Sequence, residues 1–112
     1  MNGISTLETK LTRLQELILI ELNKTFNAGF ICKKLALNRF ILSKSIGLLK
    51  QKELIEDDKL TDKGKKMVHY LEFKNETISL FLNRSNLPSD EVLTSQLTKL
   101  DYKLIIALRN LL

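Results

Sequence analysis

Arg39, Phe40, Ser43, Lys44, Gly47 and Lys50, with Gln51 beside it, fall on one side of a helical wheel. The set is basic, small or hydroxylic and carries one aromatic ring. Guanidinium and ammonium groups neutralise phosphates, polar side chains bond base edges, and small residues allow close approach. The other side carries Leu42, Ile46 and Leu49 at i, i+4 and i+7, which predicts a helix buried along that side. Asn38 stands before it as an N-cap. Upstream, Ile31, Leu35 and Leu37 have helical spacing, so two helices joined by a turn position the set. Lys34, on the first of these helices, joins the candidate contacts. A helix that buries one face and offers this mixture on the other suits the major groove of DNA.

The chain continues with Leu54-Ile55 as a short strand, Glu56-Asp57-Asp58-Lys59 as a tight turn and Leu60-Thr61 as the returning strand. From Phe30 to Lys66 the order of helix, turn, helix, hairpin and helix start resembles a winged helix. The tip of the hairpin is acidic and would repel phosphates. DNA contact is therefore assigned to the helix and to Lys59 and Lys63, not to the apex.

The net charge is +5, and its position is informative. Three bases meet three acids before Phe30, and five meet five after Lys66. Between them ten bases face five acids, so the whole excess lies in the segment with the helix-turn-helix pattern. Pattern and charge are separate signals and they agree.

Other chemistry is thin. His69 is the one histidine and Cys32 the one cysteine, so there is no histidine-cysteine cluster and no internal disulfide. There is no glycine-rich phosphate loop, no Ser/His/Asp set and no pair of carboxylates in a plausible cleft; Asp57-Asp58 sits in a turn, where acids are common for conformational reasons. No enzyme, cofactor or metal is expected. Cys32 reads as an inert thiol, with a redox role left open by its neighbours Lys33 and Lys34. No apolar run is long enough to span a bilayer and no leader pattern opens the sequence, so a cytoplasmic location is expected.

The expected fold is mainly α. All 112 residues fit one winged-helix domain, with residues 1–66 as the DNA-binding core and 67–112 as a long helix followed by C-terminal helices for dimerisation. Ser5-Thr6-Leu7-Glu8 has the spacing of a capping box, so a first helix is expected from Thr6. Leu7, Leu11, Leu14, Ile18 and Leu22 continue it on one face, and Leu17, Leu19 and Ile20 add apolar surface elsewhere. Asn23 to Gly29 reads as a connector with Asn27 and Gly29 as turn residues. Met67, Val68, Leu71, Ile78, Phe81 and Leu82 hold a helical period from a cap at Thr61 or Asp62 to about Asn83. Ser89 reads as the next N-cap. The last segment carries Val92, Leu93, Leu97, Leu100, Leu104, Ile105, Leu108, Leu111 and Leu112, with a kink or break open near Lys99 to Asp101. So much leucine at a chain end suggests a second subunit. The expected dimer interface takes Leu7, Leu11, Leu14 and Ile18 from the first helix and Val92, Leu97, Leu104 and Leu108 from the last.

The stretch Leu49-x-x-x-x-Leu54-Ile55 followed by Leu60-Thr61-Asp62-Lys63-Gly64-Lys65-Lys66 looks like many winged-helix repressors, including the multiple-antibiotic-resistance regulators. The continuation from Leu71 to Leu104 resembles the diphtheria-toxin-repressor and manganese-transport-repressor family, in which the helix after the wing continues into dimerisation elements. That resemblance implies a repressor with a divalent metal corepressor. An ungapped alignment places the family's ligands on Leu11, Leu14, Asn75, Thr98, Asp101 and Tyr102. Only Asp101 is a metal donor of the expected kind, so the resemblance implies a metal sensor that has been lost.

Two function classes follow. The first is a dimeric, DNA-binding transcriptional regulator. The second is a helical protein-interaction module on a winged-helix frame, favoured by the acidic turn and by Phe40 and Ile41.

Overall fold

The computed structural model describes residues 10–87 and 91–112. The expected caps at Ser5–Glu8 and Ser89, and the expected interface residue Leu7, lie outside them. Among the described residues the fold is mainly helical: six helices and one two-stranded antiparallel hairpin. The order is α1 (Arg13–Lys24), α2 (Ala28–Leu35), α3 (Arg39–Gln51), β1 (Ile55–Glu56), β2 (Lys59–Leu60), α4 (Asp62–Arg84), α5 (Glu91–Leu97) and α6 (Tyr102–Leu111). Contacts divide the chain inside α4 into two compact units, Met1–His69 and Tyr70–Leu112.

In the first unit each helix start has a side-chain cap. Thr12 and Gln15 form a capping box: Thr12 Oγ1 accepts from the Gln15 N–H at 3.1 Å, and Gln15 Oε1 accepts from the Thr12 N–H at 3.0 Å. A helix running unbroken from Thr6 is therefore corrected, because Thr12 is extended at ψ 162° and Leu11 precedes α1. Asn27 caps α2 by accepting from the Phe30 N–H at 3.0 Å, and Asn38 caps α3 by accepting from the Ile41 N–H at 2.8 Å. Gly29 lies inside the first turn of α2 and is not a turn residue of the connector. The backbone enters the left-handed region at Ala36 (φ 56°) and Glu53 (φ 62°), which ends α2 and α3. At each exit the next residue's N–H bonds back five residues, Leu37 to the Cys32 carbonyl at 2.9 Å and Leu54 to the Leu49 carbonyl at 3.0 Å.

That cap moves the hairpin by one residue. Leu54 belongs to the exit of α3, so the ladder pairs Ile55 with Leu60 and Glu56 with Lys59. Asp57 (φ 51°) and Asp58 (φ 58°) form the turn, with the two left-handed residues of a type I′ hairpin. Thr61 then ends the strand as the cap of α4. Its Oγ1 donates to the Glu53 carbonyl at 2.6 Å and accepts from the Gly64 N–H at 3.0 Å. Ile18, Leu19, Leu22, Ile31, Leu42, Leu49, Leu54, Ile55, Leu60, Met67 and Val68 are buried and form the core of this unit. On α3 the buried line is Leu42, Ser45 and Leu49, while Ile46, expected in it, is half-buried.

The second unit takes the later part of α4 with α5 and α6. Ile78, Leu82 and Ile105 are its buried centre, with Phe73, Phe81, Leu93, Leu97 and Leu100 packed against them. Asp101 accepts from the Leu104 N–H at 3.0 Å and caps α6, so the C-terminal segment is two helices. Lys74 is 3% exposed, and its Nζ donates to the Thr98 carbonyl at 3.0 Å just past the end of α5. A buried ammonium needs such an acceptor, and a helix C-terminus offers several. Arg109 lies with its guanidinium 5.4 Å from the centre of the Phe73 ring and bonds Glu76 Oε1 at 2.9 Å, which holds α6 to α4.

Candidate nucleic-acid interface

The outward side of α3 carries the residues expected there. Arg39, Phe40, Ser43, Lys44 and Lys50 are exposed, Gly47 is half-exposed and Gln51 is exposed. Arg39, Lys44 and Lys50 make no ion pair among the described residues. The helix is held in place from its other side: Leu42 and Leu49 pack into the core, and the Asn38 carboxamide oxygen is taken by the N-terminal cap. The Asn38 amide nitrogen is the part of that side chain left for an outside acceptor.

Two of the three other expected contacts have work inside the fold. Lys34 Nζ lies 3.1 Å from Glu21, a residue of α1 that is 7% exposed, and it also stands 5.9 Å over the Phe30 ring. Its ammonium is thus paired with that carboxylate, while its side chain stays 46% exposed. Lys63 is half-buried and donates to the Lys52 carbonyl at 3.1 Å, where it caps the exit of α3. Lys59 is exposed but stands opposite Glu56 across the hairpin. Charge counting could not have separated these lysines, because Glu21 lies far from Lys34 in sequence and the Lys52 carbonyl is backbone.

The charge is sorted more finely than the segment total suggests. From Phe30 to Lys52 there are six bases and no acid; the five acids of the segment all lie between Glu53 and Asp62. The helices α2 and α3 are thus basic, while the hairpin carries Glu56, Asp57 and Asp58, all exposed. Exposed Lys33 adds to the basic side and was not among the expected contacts. Ile41, expected as an apolar residue of this helix, and Leu48, which was not, are 38% and 37% exposed on α3, so its outward side has apolar margins. The surface can bind anions by unpaired cations, exchange hydrogen bonds through Ser43, and make apolar contact through Phe40.

The remaining candidates have structural roles or stand alone. His69 is exposed on α4 and Cys32 is a half-buried free thiol. Among the described residues no three His, Cys, Asp or Glu side chains converge in a way that would hold a metal. Of the positions aligned with a metal site, Leu11 and Leu14 are half-buried apolar residues, the Thr98 hydroxyl donates to the Ser95 carbonyl at 2.8 Å, and Asp101 caps a helix.

The expected dimer set divides too. Ile18 is 0% exposed in the core of its own unit and has no surface to give a partner, which corrects its assignment. Leu11 and Leu14 are half-buried, and Leu97 packs into the second unit's own cluster. Val92 at 74%, Leu104 at 53% and the half-buried Leu108 keep apolar surface, and Leu111 at 84% continues the line of Leu104 and Leu108 along α6. Among the described residues no helix is long and apolar enough to cross a membrane. Comparison with protein-family models, curated proteins and solved structures gave no match.

Proposed function

We propose that this chain is a winged helix-turn-helix regulator of transcription that binds duplex DNA as a homodimer, with α3 in the major groove. The observation that carries the reading is the outward side of α3: Arg39, Lys44 and Lys50 exposed and without ion pairs among the described residues, on a two-helix stretch that holds six bases and no acid. A protein that leaves unpaired cations along one helix attracts a polyanion at long range. The order α2, turn, α3, hairpin supports the winged-helix reading, and a cap at Asn38 sets the exposed start of α3 where base edges would be reached. The exposed leucines of α6 support pairing of two copies, which would place two reading helices on two half-sites. The resemblance to metal-dependent repressors enters only as a source of the dimeric plan; the aligned ligand positions support a regulator that does not use metal.

The test is fluorescence anisotropy with random duplex DNA at low salt. Lys44→Glu should weaken binding roughly tenfold and lower the salt slope by about one or more, as expected when a phosphate contact is replaced by a repulsion. Lys99→Glu, which changes an exposed lysine of the second unit, should leave affinity within about twofold of the wild type by the same reasoning. Equal binding by both variants would remove α3 from the interface. A second reading is favoured by Phe40, Ile41 and Leu48: an interaction module whose apolar exposed residues meet another protein. Failure of the wild type to bind any duplex at low salt would decide for it.

A further inference from the structure

Gly47 sits in the middle of α3, where glycine weakens a helix relative to alanine. Nothing inside the fold requires it. Its φ is not positive, and a Cβ built there meets no heavy atom within 4 Å beyond the adjoining backbone of its own helix. Gly64 is the contrast: a Cβ there would lie 2.1 Å from the Leu54 carbonyl oxygen. The absence of a side chain at Gly47 therefore leaves room for something outside the chain. Phe40 and Lys44 precede it at i−7 and i−3 on the same side, and Phe40 is 75% exposed, the most exposed large apolar side chain described in the first unit. A bare phenyl ring next to Arg39 and one turn from Lys44, on a helix without a carboxylate, fits a partner that is anionic overall and apolar at one point. On the floor of the major groove the one apolar group is the thymine C5-methyl.

Resting on the proposed DNA-binding function, we propose that α3 reads a thymine in each half-site through the Phe40 ring against the C5-methyl group, and that its backbone lies nearest the groove at Gly47. Arg39 and Lys44, flanking the ring, hold the phosphates or purine edges beside that thymine, and Ser43 occupies the small space between them. A side chain at position 47 lifts the helix out of the groove. The acidic hairpin turn takes no part in this reading.

The experiment begins with selection of duplexes from a random pool by the wild-type protein. Each thymine of the selected site is then replaced by deoxyuridine, which removes the methyl group and nothing else. At one thymine per half-site the wild type should lose about fourfold in affinity, the value of one buried methyl. Phe40→Ala should bind the thymine and deoxyuridine duplexes equally. Gly47→Ala should melt at a higher temperature than the wild type and yet bind the selected duplex more weakly. Indifference of the wild type to deoxyuridine at every position would overturn the proposal, as would a thymine preference that survives in Phe40→Ala, or a stabilised Gly47→Ala with undiminished affinity. A wild type that retains no duplex from the pool at low salt would overturn the DNA-binding function itself and this inference with it, whereas duplex binding without enrichment, or enrichment without a methyl effect, would overturn this inference alone.

Discussion

Gly64 has no room for a methyl group, because the Leu54 carbonyl oxygen stands 2.1 Å from where a Cβ would be and the Leu60 Cβ only 3.3 Å from it. The first turn of α4 is pressed against the exit of α3 at this point, and the neighbour in the way is backbone. Gly64→Ala should therefore cost about 3 kcal/mol or more in urea unfolding, at the upper end for overpacking, since main chain cannot rotate aside. A loss below about 1 kcal/mol would mean that the helix start shifts freely. Leu60-Thr61-Asp62-Lys63-Gly64 was legible in the sequence as a recurring pattern, and so was the capping role of Thr61 or Asp62. The reason for the glycine was not legible, because the atom that excludes a side chain lies ten residues earlier and belongs to the backbone. The same holds for Lys34 and Lys63. Their residue type marked them as DNA contacts, and their partners, Glu21 and the Lys52 carbonyl, became neighbours only in the folded chain.

At the scale of elements, the hairpin is where local propensity and local structure disagree. Asp57 and Asp58 both adopt left-handed backbone, a conformation aspartate tolerates better than most residues but glycine takes at no steric cost. The pair of carboxylates also repel each other at an exposed tip. Replacing Asp57-Asp58 by Asn-Gly, the preferred sequence for a two-residue type I′ turn, should stabilise the protein by about 0.5–1 kcal/mol, measured by thermal or urea unfolding. If α3 holds DNA as proposed, the same change should also raise affinity at low salt, since two negative charges are removed from the protein. Destabilisation by the Asn-Gly pair would contradict the turn geometry. The helices were more legible than the hairpin. Asn38 and the α3 period marked that helix correctly, and the long helix ends at Arg84 where Asn83 was expected. The misplacements came from local caps: Thr12 with Gln15 sets the start of α1, and Leu54 bonded to Leu49 moves the hairpin by one residue. Several residues near a helix end can serve as caps, and choosing among them takes packing that periodicity does not contain.

On the scale of the whole molecule, the excess charge lies in the first unit and the most exposed aliphatic side chains in the second. Met1–His69 holds all of the excess positive charge, while Tyr70–Leu112 has five bases and five acids. The second unit instead exposes Val92, Leu104 and Leu111, of which Leu104 and Leu111 share with Leu108 one line of α6. Ile105, next to Leu104, is fully buried in the cluster with Ile78 and Leu82, and the line runs to one side of it round the helix. Under the proposed function, the first unit binds DNA and the line of leucines joins two copies. Leu104→Glu separates the two consequences of changing α6. Leu104 is 53% exposed and lies outside the cluster, so a carboxylate there leaves the unit's own core intact and stays hydrated in a single chain. In a dimer the same carboxylate meets its symmetry mate or an apolar neighbour, at a desolvation cost of several kcal/mol, roughly 2–7 even for a neutral polar group. The expected result in sedimentation at micromolar concentration is a dimer for the wild type and a monomer for Leu104→Glu, with unchanged circular dichroism. DNA affinity should fall with dimerisation, because a monomer holds one half-site and loses the effective concentration that the second copy supplies. A wild type that sediments as a monomer would leave the α6 leucines without a second copy to cover them, and each chain would then bind one half-site alone.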